Sequence, residues 1–564
     1  MHALPVALIL VLAQQKSPDQ AMKGDAARCG SEIPWVTSLS EAQKQSKASG
    51  KPIAWWVSRV EGSPMDRKMV IEKYMLAGPF MMPGVVELVT EKFVPLRLDA
   101  VPLMHKEFGI TVGDFIEPGV VFLGPDLKVI HRVDRLTTFS EEWLVHLLRG
   151  VLKKTGREVE AKKVELSEAR RAIAEGRPDP ELFTLGELRD DEARWYLGVA
   201  LHLVNRDGAA REEWKKIKTG RWAWKAAAEL ARDGPFVRGF ETYESLPPEA
   251  LKDELPTTST LPRAKADVAR ALRFLLQNQK NNGVWDDSHY NFGGDASLPD
   301  VYMADTALAA LALRAWGDPK QIETAIIRAE AYLKDETRIA EGDSQEIAWA
   351  HAYRLLYFAK TGDKAMMARL VRKLGELQKK TGVWQHEYDN PFVTATILQA
   401  LEEAKLAGAE VPAGMLKRGA AALKSTRDAR GVFSYEFPGK GGAVEGAAGR
   451  MPFLEYVLSL SGQAKPEGVK ASIAESFKHH ALLERVRKYD DHADAYHNGG
   501  FFFWYDQYGR ALAAKAVDDA AALEKQRAIV LAIPEIDGCW VDSHELGRVY
   551  GTAMALLTLK LCEK

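Results

Sequence analysis

At 564 residues the chain is too long for one hydrophobic core, so several domains are expected. Its 46% hydrophobic and 27% charged residues are those of a folded protein and exclude a disordered or collagen-like chain. The 76 basic and 78 acidic residues leave a net charge of -2, which gives no electrostatic footprint for nucleic acid.

The first 13 residues contain an apolar run of signal-peptide length, and small residues at Ala13 and Ala21 offer cleavage sites. Residues 1–21 therefore read as a signal peptide lacking a basic n-region, and the protein as periplasmic or secreted. No other segment has the ~18 consecutive apolar residues of a membrane-spanning helix, so no integral span is expected in the mature chain. The cysteines Cys29, Cys539 and Cys562 form no Cys-x-x-Cys pair, which argues against a disulfide framework, a zinc ribbon or a dithiol redox centre.

Residues 34–150 alternate between helical and strand patterns: a polar helix at 40–49, apolar runs at 53–57, 93–98 and 119–123, and a last helix at 141–148. Such alternation predicts an α/β domain, a sheet covered by helices. Lys51-Pro52 before the first core strand and Glu117-Pro118 before the strand at 120–123 resemble thioredoxin-like domains. In that resemblance Pro118 takes the place of the family's cis-proline. The segment 58–66 has no cysteine where the family carries its redox pair, and thiol exchange needs both an attacking and a resolving thiol. The domain at 30–150 is thus expected to be a non-redox binding or spacing module. Met65, Met69, Met81 and Met82 suit either core packing or a soft metal.

Residues 160–243 are helical. The apolar helix at 191–201, with the small residues Gly198 and Ala200, leads through Asn205-Arg206-Asp207-Gly208 into a second helix, resembling a tetratricopeptide (TPR) hairpin. One hairpin cannot form a solenoid, so this segment reads as a connector. Prolines 247, 248 and 256 mark a linker at 244–262.

From 263 to 564 a glycine-x-aromatic corner recurs at Gly283, Gly382, Gly431 and Gly538, a period near ~50 residues with one unit skipped in each wide gap. Alanine-rich apolar helices at 305–311, 347–353, 394–401, 451–457, 508–514 and 550–557 follow the corners, and more charged helices such as 320–334 and 366–380 lie between. Small residues let the first set crowd an inner ring while the second set covers it. Gln277-Asn278-Gln279, Gly283-Val284-Trp285 and Tyr550-Gly551-Thr552-Ala553 resemble the prenyltransferase and squalene-cyclase repeats, which implies an all-α (α/α)6 toroid of six helical hairpins.

The chemistry of those families does not come with the resemblance. The Asp-x-Asp-Asp acid of terpene cyclases and the Cys-Gly-Glu-Gln thioester of complement-type domains are absent. Asp537-Gly538-Cys539 copies half of the prenyltransferase zinc motif, without the histidine that would complete it, so no metal is assigned and no cofactor is named. A different constellation stands out. Trp285-Asp286-Asp287-Ser288-His289 and Trp540-Val541-Asp542-Ser543-His544 share Trp-x-Asp-Ser-His, and ring closure would make these first and last units neighbours. Asp287, His289, Asp542 and His544 are therefore the candidate catalytic groups; the alternative is that they are helix caps and turn residues. Arg450, either an anion clamp or the partner of Glu455, and His386, Trp504, Tyr505 and Tyr508 are candidates for ligand binding.

Two functions remain open on these residues. The first is an exported, non-redox binding or scaffolding protein whose toroid holds an apolar small molecule or a segment of a protein partner. The second is an enzyme acting in the toroid cavity on a prenyl-type lipid or a glycan through the Asp/His cluster.

Overall fold

The computed structural model describes residues 22–563 apart from 23, 64–68, 137, 158–165, 205, 232–245, 247–250, 253–254, 258–265, 289, 291–296, 341, 343–344, 490–491, 536–537 and 544. The expected signal peptide, most of the expected linker, and Met65, His289, Asp537 and His544 lie outside the described residues.

Strand β1 (Ile53–Val57) is apolar and buried along its whole length, as a strand covered on both faces requires. It lies inside a four-stranded sheet of order β2-β1-β3-β4. β2 (Val94–Arg97) runs parallel to β1, β3 (Gly119–Leu123) antiparallel to it, and β4 (Val129–Val133) antiparallel to β3. Helices α1 (Leu39–Ser49), α2 (Pro83–Lys92) and α3 (Glu141–Lys154) flank the sheet. α3 starts where Ser140 Oγ accepts the Trp143 N–H at 3.3 Å, and its buried stripe runs Trp143, Leu144, Leu147, Leu148, Val151. The Glu117–Pro118 peptide is cis. The buried Glu117 carboxylate accepts from Val60 N–H at 3.3 Å and Ser63 Oγ at 3.1 Å. Met81 and Met82 are buried in the core, and the Met81 sulfur accepts the Gly30 N–H at 3.0 Å.

In the connector, α4 (Asp191–Leu203) packs on α5 (Asp207–Lys215) across Gly198. A Cβ at Gly198 would come within 2.2 Å of the Trp214 indole, whose Nε1 donates to Trp195 O at 3.2 Å. α6 (Gly220–Leu230) then docks on the sheet domain, with Lys225 Nζ donating to Ala77 O and Arg221 to Met81 O, both at 3.2 Å.

Beyond the connector the chain is helical. The inner helices are α8 (Leu298–Trp316), α10 (Ile347–Thr361), α12 (Pro391–Leu406), α14 (Met451–Leu460), α16 (Phe503–Ala516) and α18 (Gly547–Leu561). Each packs on the next, and α18 packs back on α8. Outside them lie α7 (Val268–Asn278), α9 (Pro319–Lys334), α11 (Lys364–Leu377), α13 (Ala413–Ser425), α15 (Pro466–Lys478) and α17 (Ala520–Ala532). The architecture is an α/β domain followed by an α-helical, toroid-like region.

The corners explain the sequence period. Trp285, Trp384 and Trp540 each donate their indole N–H to a carbonyl ten residues upstream, at 2.7, 2.7 and 3.0 Å. Their backbone N–H groups donate to Thr306, Thr394 and Thr552 of the following inner helix, at 3.2, 3.0 and 3.1 Å. Gly283 and Gly382 have φ of 92° and 98°, and a Cβ there would meet the Arg328 and Arg418 carbonyl oxygens at 2.2 and 2.5 Å. Only glycine satisfies both the dihedral and the space. Trp504 is held differently: it belongs to α16 itself, fully buried, with its indole on Val541 O at 2.9 Å.

The sheet domain is fastened to the toroid through Glu484, Arg485 and Tyr489. Tyr489 Oη accepts from Leu136 N–H and donates to Leu136 O, both at 3.2 Å, and Arg485 reaches Asp114 at 3.2 Å. Among the described residues no helix is long and apolar enough to cross a membrane.

Candidate active site

The N-terminal ends of the inner helices surround a cavity of about 170 Å³. Aromatic side chains make most of its wall, including Tyr290, Trp349, Tyr353, Tyr388, Tyr505 and Tyr550. Into it come three carboxyl groups, Asp305, Glu346 and Glu387, and two imidazoles, His386 and His492.

Asp305 sits in the second turn of α8, an alanine-rich helix whose first turn carries another acid, Asp300. It is 2% exposed, and its Oδ2 has no hydrogen-bond partner among the described residues. Burial, with the neighbouring carboxylates of Asp287 and Asp542, holds its pKa well above the usual carboxylate range.

Glu387 is placed by backbone geometry. Short strands β5 (Trp384–His386) and β6 (Tyr388–Asn390) pair antiparallel, leaving Glu387 at their tip with φ of 60°. A non-glycine residue in that region is strained, and such strain is commonly held at functional positions. Asn390 fixes the hairpin to α12 by accepting from Phe392 N–H at 2.8 Å. His386 then lies between two acids: Nδ1 is 3.5 Å from Glu346 and Nε2 is 3.5 Å from Glu387. Tyr290 Oη donates to Glu387 at 3.0 Å, and the Tyr290 ring stacks on His386 with centroids 6.4 Å apart. Burial first, then Glu387 and Glu346, push the Tyr290 hydroxyl well above its ordinary pKa. His492 approaches the Tyr435 hydroxyl at 3.3 Å on another wall.

Of the residues singled out in the sequence, His386 and Tyr505 line the cavity, and Tyr505 donates to Phe392 O at 3.1 Å. The first and last units do meet: Ser288 Oγ donates to Glu545 O at 2.8 Å. Asp287 accepts the Arg548 and Val549 N–H groups at 3.1 and 3.2 Å, capping α18 across the closure. Asp542 is fully buried, pushed well up in pKa by burial, and accepts from Ser543 N–H at 2.8 Å. Neither Asp287 nor Asp542 is among the residues lining the cavity. Trp504 and Tyr508 also stand outside the lining. The Arg450 guanidinium stacks on Phe502 and Phe392, 4.3 and 4.8 Å from their centroids, and donates to Gly446 O. Glu455 pairs with Arg427 instead. Cys539 is buried and accepts from Arg548 Nε at 2.8 Å. Among the described residues no group of three or more His, Cys, Asp or Glu is arranged to hold a metal.

The sequence reading missed Asp305, Glu346, Glu387 and Tyr290. A carboxylate inside an inner-ring helix was the one signal available for Asp305. Glu346 and Glu387 stand in polar segments where nothing local separates them from solvated acids.

No family model and no curated protein matches the sequence. Solved structures with a similar course of chain include a D-mannose isomerase, at 11% identity, TM-score 0.36, covering 52% of this chain and 95% of that one. An inactive variant of the α-1,6-mannanase GH76A of Salegentibacter sp. HEL1_6, in complex with α-1,6-mannotetrose, is similar at 10% identity and TM-score 0.35, covering 53% and 100%. Its complex with α-1,6-mannotriose gives 11%, 0.35, 52% and 99%. The likeness concerns the fold and is general to helical toroids rather than particular to prenyltransferases or squalene cyclases.

The expectation of a non-catalytic binding or scaffolding protein with an apolar receptacle is corrected. The cavity presents a buried, unpartnered carboxyl and a Glu–His–Glu array, the groups of acid–base chemistry.

Proposed function

We propose that the protein is a carbohydrate-active enzyme that performs acid–base chemistry on one sugar residue seated in the toroid cavity. The observation that carries this reading is Asp305, a buried carboxyl without a partner, lining an aromatic-walled cavity. Size supports a sugar over a prenyl lipid. A volume of about 170 Å³ is close to the ~150 Å³ that takes one benzene ring and below the ~300 Å³ where pockets for larger ligands begin. One pyranose ring fits; a chain of several isoprene units does not. Tyrosine and tryptophan faces offer flat apolar contact to the C–H face of a sugar, and carboxylates accept from its hydroxyls.

In this reading Asp305 is the proton donor to a sugar oxygen. The Glu346–His386–Glu387 set, with Tyr290 orienting Glu387, is the proton acceptor. Asp287 and Asp542 act through Asp305, adding to the burial that raises its affinity for a proton.

The same reading takes the N-terminal domain as thioredoxin-like without redox function, residues 160–243 as a TPR-like connector, and residues 263–564 as six helical hairpins. It takes the protein as exported through residues 1–21. Ligand-observed NMR with a panel of monosaccharides and glycosides, together with assays of hydrolysis and isomerisation, tests the central claim. Asp305→Asn should keep sugar binding and lose turnover by ~10²–10⁴-fold, the size of a general-acid contribution. Wild-type protein that binds no sugar, or full turnover in Asp305→Asn, would overturn it.

A further inference from the structure

Asp305 is not the only cavity group without a partner. Tyr353, in the second turn of α10, and Tyr550, in the first turn of α18, line the same space and are 5% and 7% exposed. Among the described residues neither hydroxyl makes a hydrogen bond. Other phenols of the wall are engaged: Tyr290 with Glu387, Tyr505 with Phe392 O, and Tyr388 with Tyr435. Helix α8, which carries Asp305, packs on both α10 and α18. Burial first, and Asp305 among the further causes, pushes both phenols above their ordinary pKa, so the three groups lie within electrostatic reach of one another. Buried polar groups are ordinarily hydrogen-bonded, and three that are not, facing one space, suit a ligand that supplies the bonds. Each phenol can donate, and burial favours the form of Asp305 that donates as well. Donors gathered round one oxygen stabilise it as it turns negative, and a carboxylic acid in an apolar site beside a tyrosine is one way to build such an oxyanion site. In glycoside cleavage the charge that develops on the sugar ring is positive, and phenol donors do nothing to steady it.

We infer that Tyr353, Tyr550 and Asp305 hold the carbonyl oxygen of an open-chain sugar while the carbon beside it is deprotonated, so that the reaction is aldose–ketose isomerisation. This rests on the reading of the cavity as a sugar site and names the reaction. The Glu346–His386–Glu387 set takes the proton from C2. The C–H electron pair becomes the C1–C2 double bond, and the carbonyl pair moves onto O1, which receives the Asp305 proton. Collapse of the enediol returns the first proton to C1 and gives the O2 proton back to Asp305. C1 is reduced as C2 is oxidised, so no outside oxidant or reductant enters.

Three measurements on the full chain separate this inference from the reading beneath it: ligand-observed NMR with glucose, mannose, galactose and fructose, proton NMR of the same sugars incubated with the protein in heavy water, and release of nitrophenol from para-nitrophenyl glycosides. Solvent deuterium should enter at C2 of an aldose as ketose forms. Tyr353→Phe and Tyr550→Phe should each lower kcat by ~10²–10³-fold with KM little changed, the loss of a donor used only in the transition state. Neither hydroxyl has a partner to lose, so the urea midpoints of both variants should match the wild type. Sugar binding without deuterium entry, whether or not a glycoside is cleaved, overturns the inference and leaves the sugar reading intact. Deuterium entry at the wild-type rate in both Phe variants overturns the assignment of the two donors. Absence of binding by every sugar overturns both readings.

Discussion

Asp506, in the first turn of α16, gives the sharpest test of the electrostatics. It is 2% exposed, and neither carboxyl oxygen has a hydrogen-bond partner among the described residues. Gly449 packs so closely that a Cβ there would stand 1.9 Å from Oδ2. Burial raises its pKa from 3.8 to about 7, against the opposing pull of Arg450 and Arg510. The folded state therefore holds a proton that the unfolded chain releases above about pH 4. Its stability falls as pH climbs from that point to about 7 and is level beyond, because from there both states are ionised. At ~1.4 kcal/mol per pH unit, the two units between pH 5 and pH 7 correspond to roughly 3 kcal/mol. Asp506→Asn keeps the shape and has no charge to bury. Its stability advantage over the wild type should widen by about that amount between pH 5 and pH 7, then hold constant to pH 8. Glu141, also pushed to about 7 by burial, tilts both proteins alike and drops out of the difference. Denaturant melts followed by tryptophan fluorescence at pH 5, 6, 7 and 8 measure the gap. A gap independent of pH, or one that narrows on going to pH 7, would refute the reasoning.

Asp287→Ala removes the cap that joins the first and last units and should cost about 1 kcal/mol, seen as a lower urea midpoint; no change would mean that the closure does not depend on it. Tyr489→Phe leaves Leu136 without its side-chain partner and loosens the segment that carries His492. The expected result is a loss of about 1–3 kcal/mol together with a shifted His492 imidazole NMR signal. Unchanged stability and an unchanged signal would show that the sheet domain does not brace the cavity. All three cysteines are buried, with Cys29 pushed up to about 12 mainly by burial, so Ellman's reagent at pH 8 should label none in the native protein and all three after unfolding. Rapid labelling of one native thiol would contradict the non-redox reading.

The corners were legible because their chemistry is local. A tryptophan that bonds to the carbonyl ten residues back, a threonine one helix on, and a glycine forced to positive φ leave a spaced pattern in the chain. The inner helices were legible for a related reason, since crowding round a small ring admits alanine and excludes bulk. Gly198 could be read in the same way, from the closeness it allows to Trp214. Repeat ancestry misled where it duplicated residues without duplicating their task. The two Trp-x-Asp-Ser-His segments do come together, yet Asp287 caps a helix and Asp542 is buried beside its own backbone.

The sequence by itself determined the period, the lack of a redox pair and the near-neutral charge, each a property of residue order or count. Only the tertiary structure decided which acids face the cavity. Tyr290 and Glu387 stand 97 positions apart and touch because the ring curls, and the Glu387 side chain points as it does because a two-strand hairpin holds it at φ of 60°. Burial, pKa and charge balance arise from such long-range contacts. A carboxylate in solvent and a carboxylate buried inside the ring are written with the same letter.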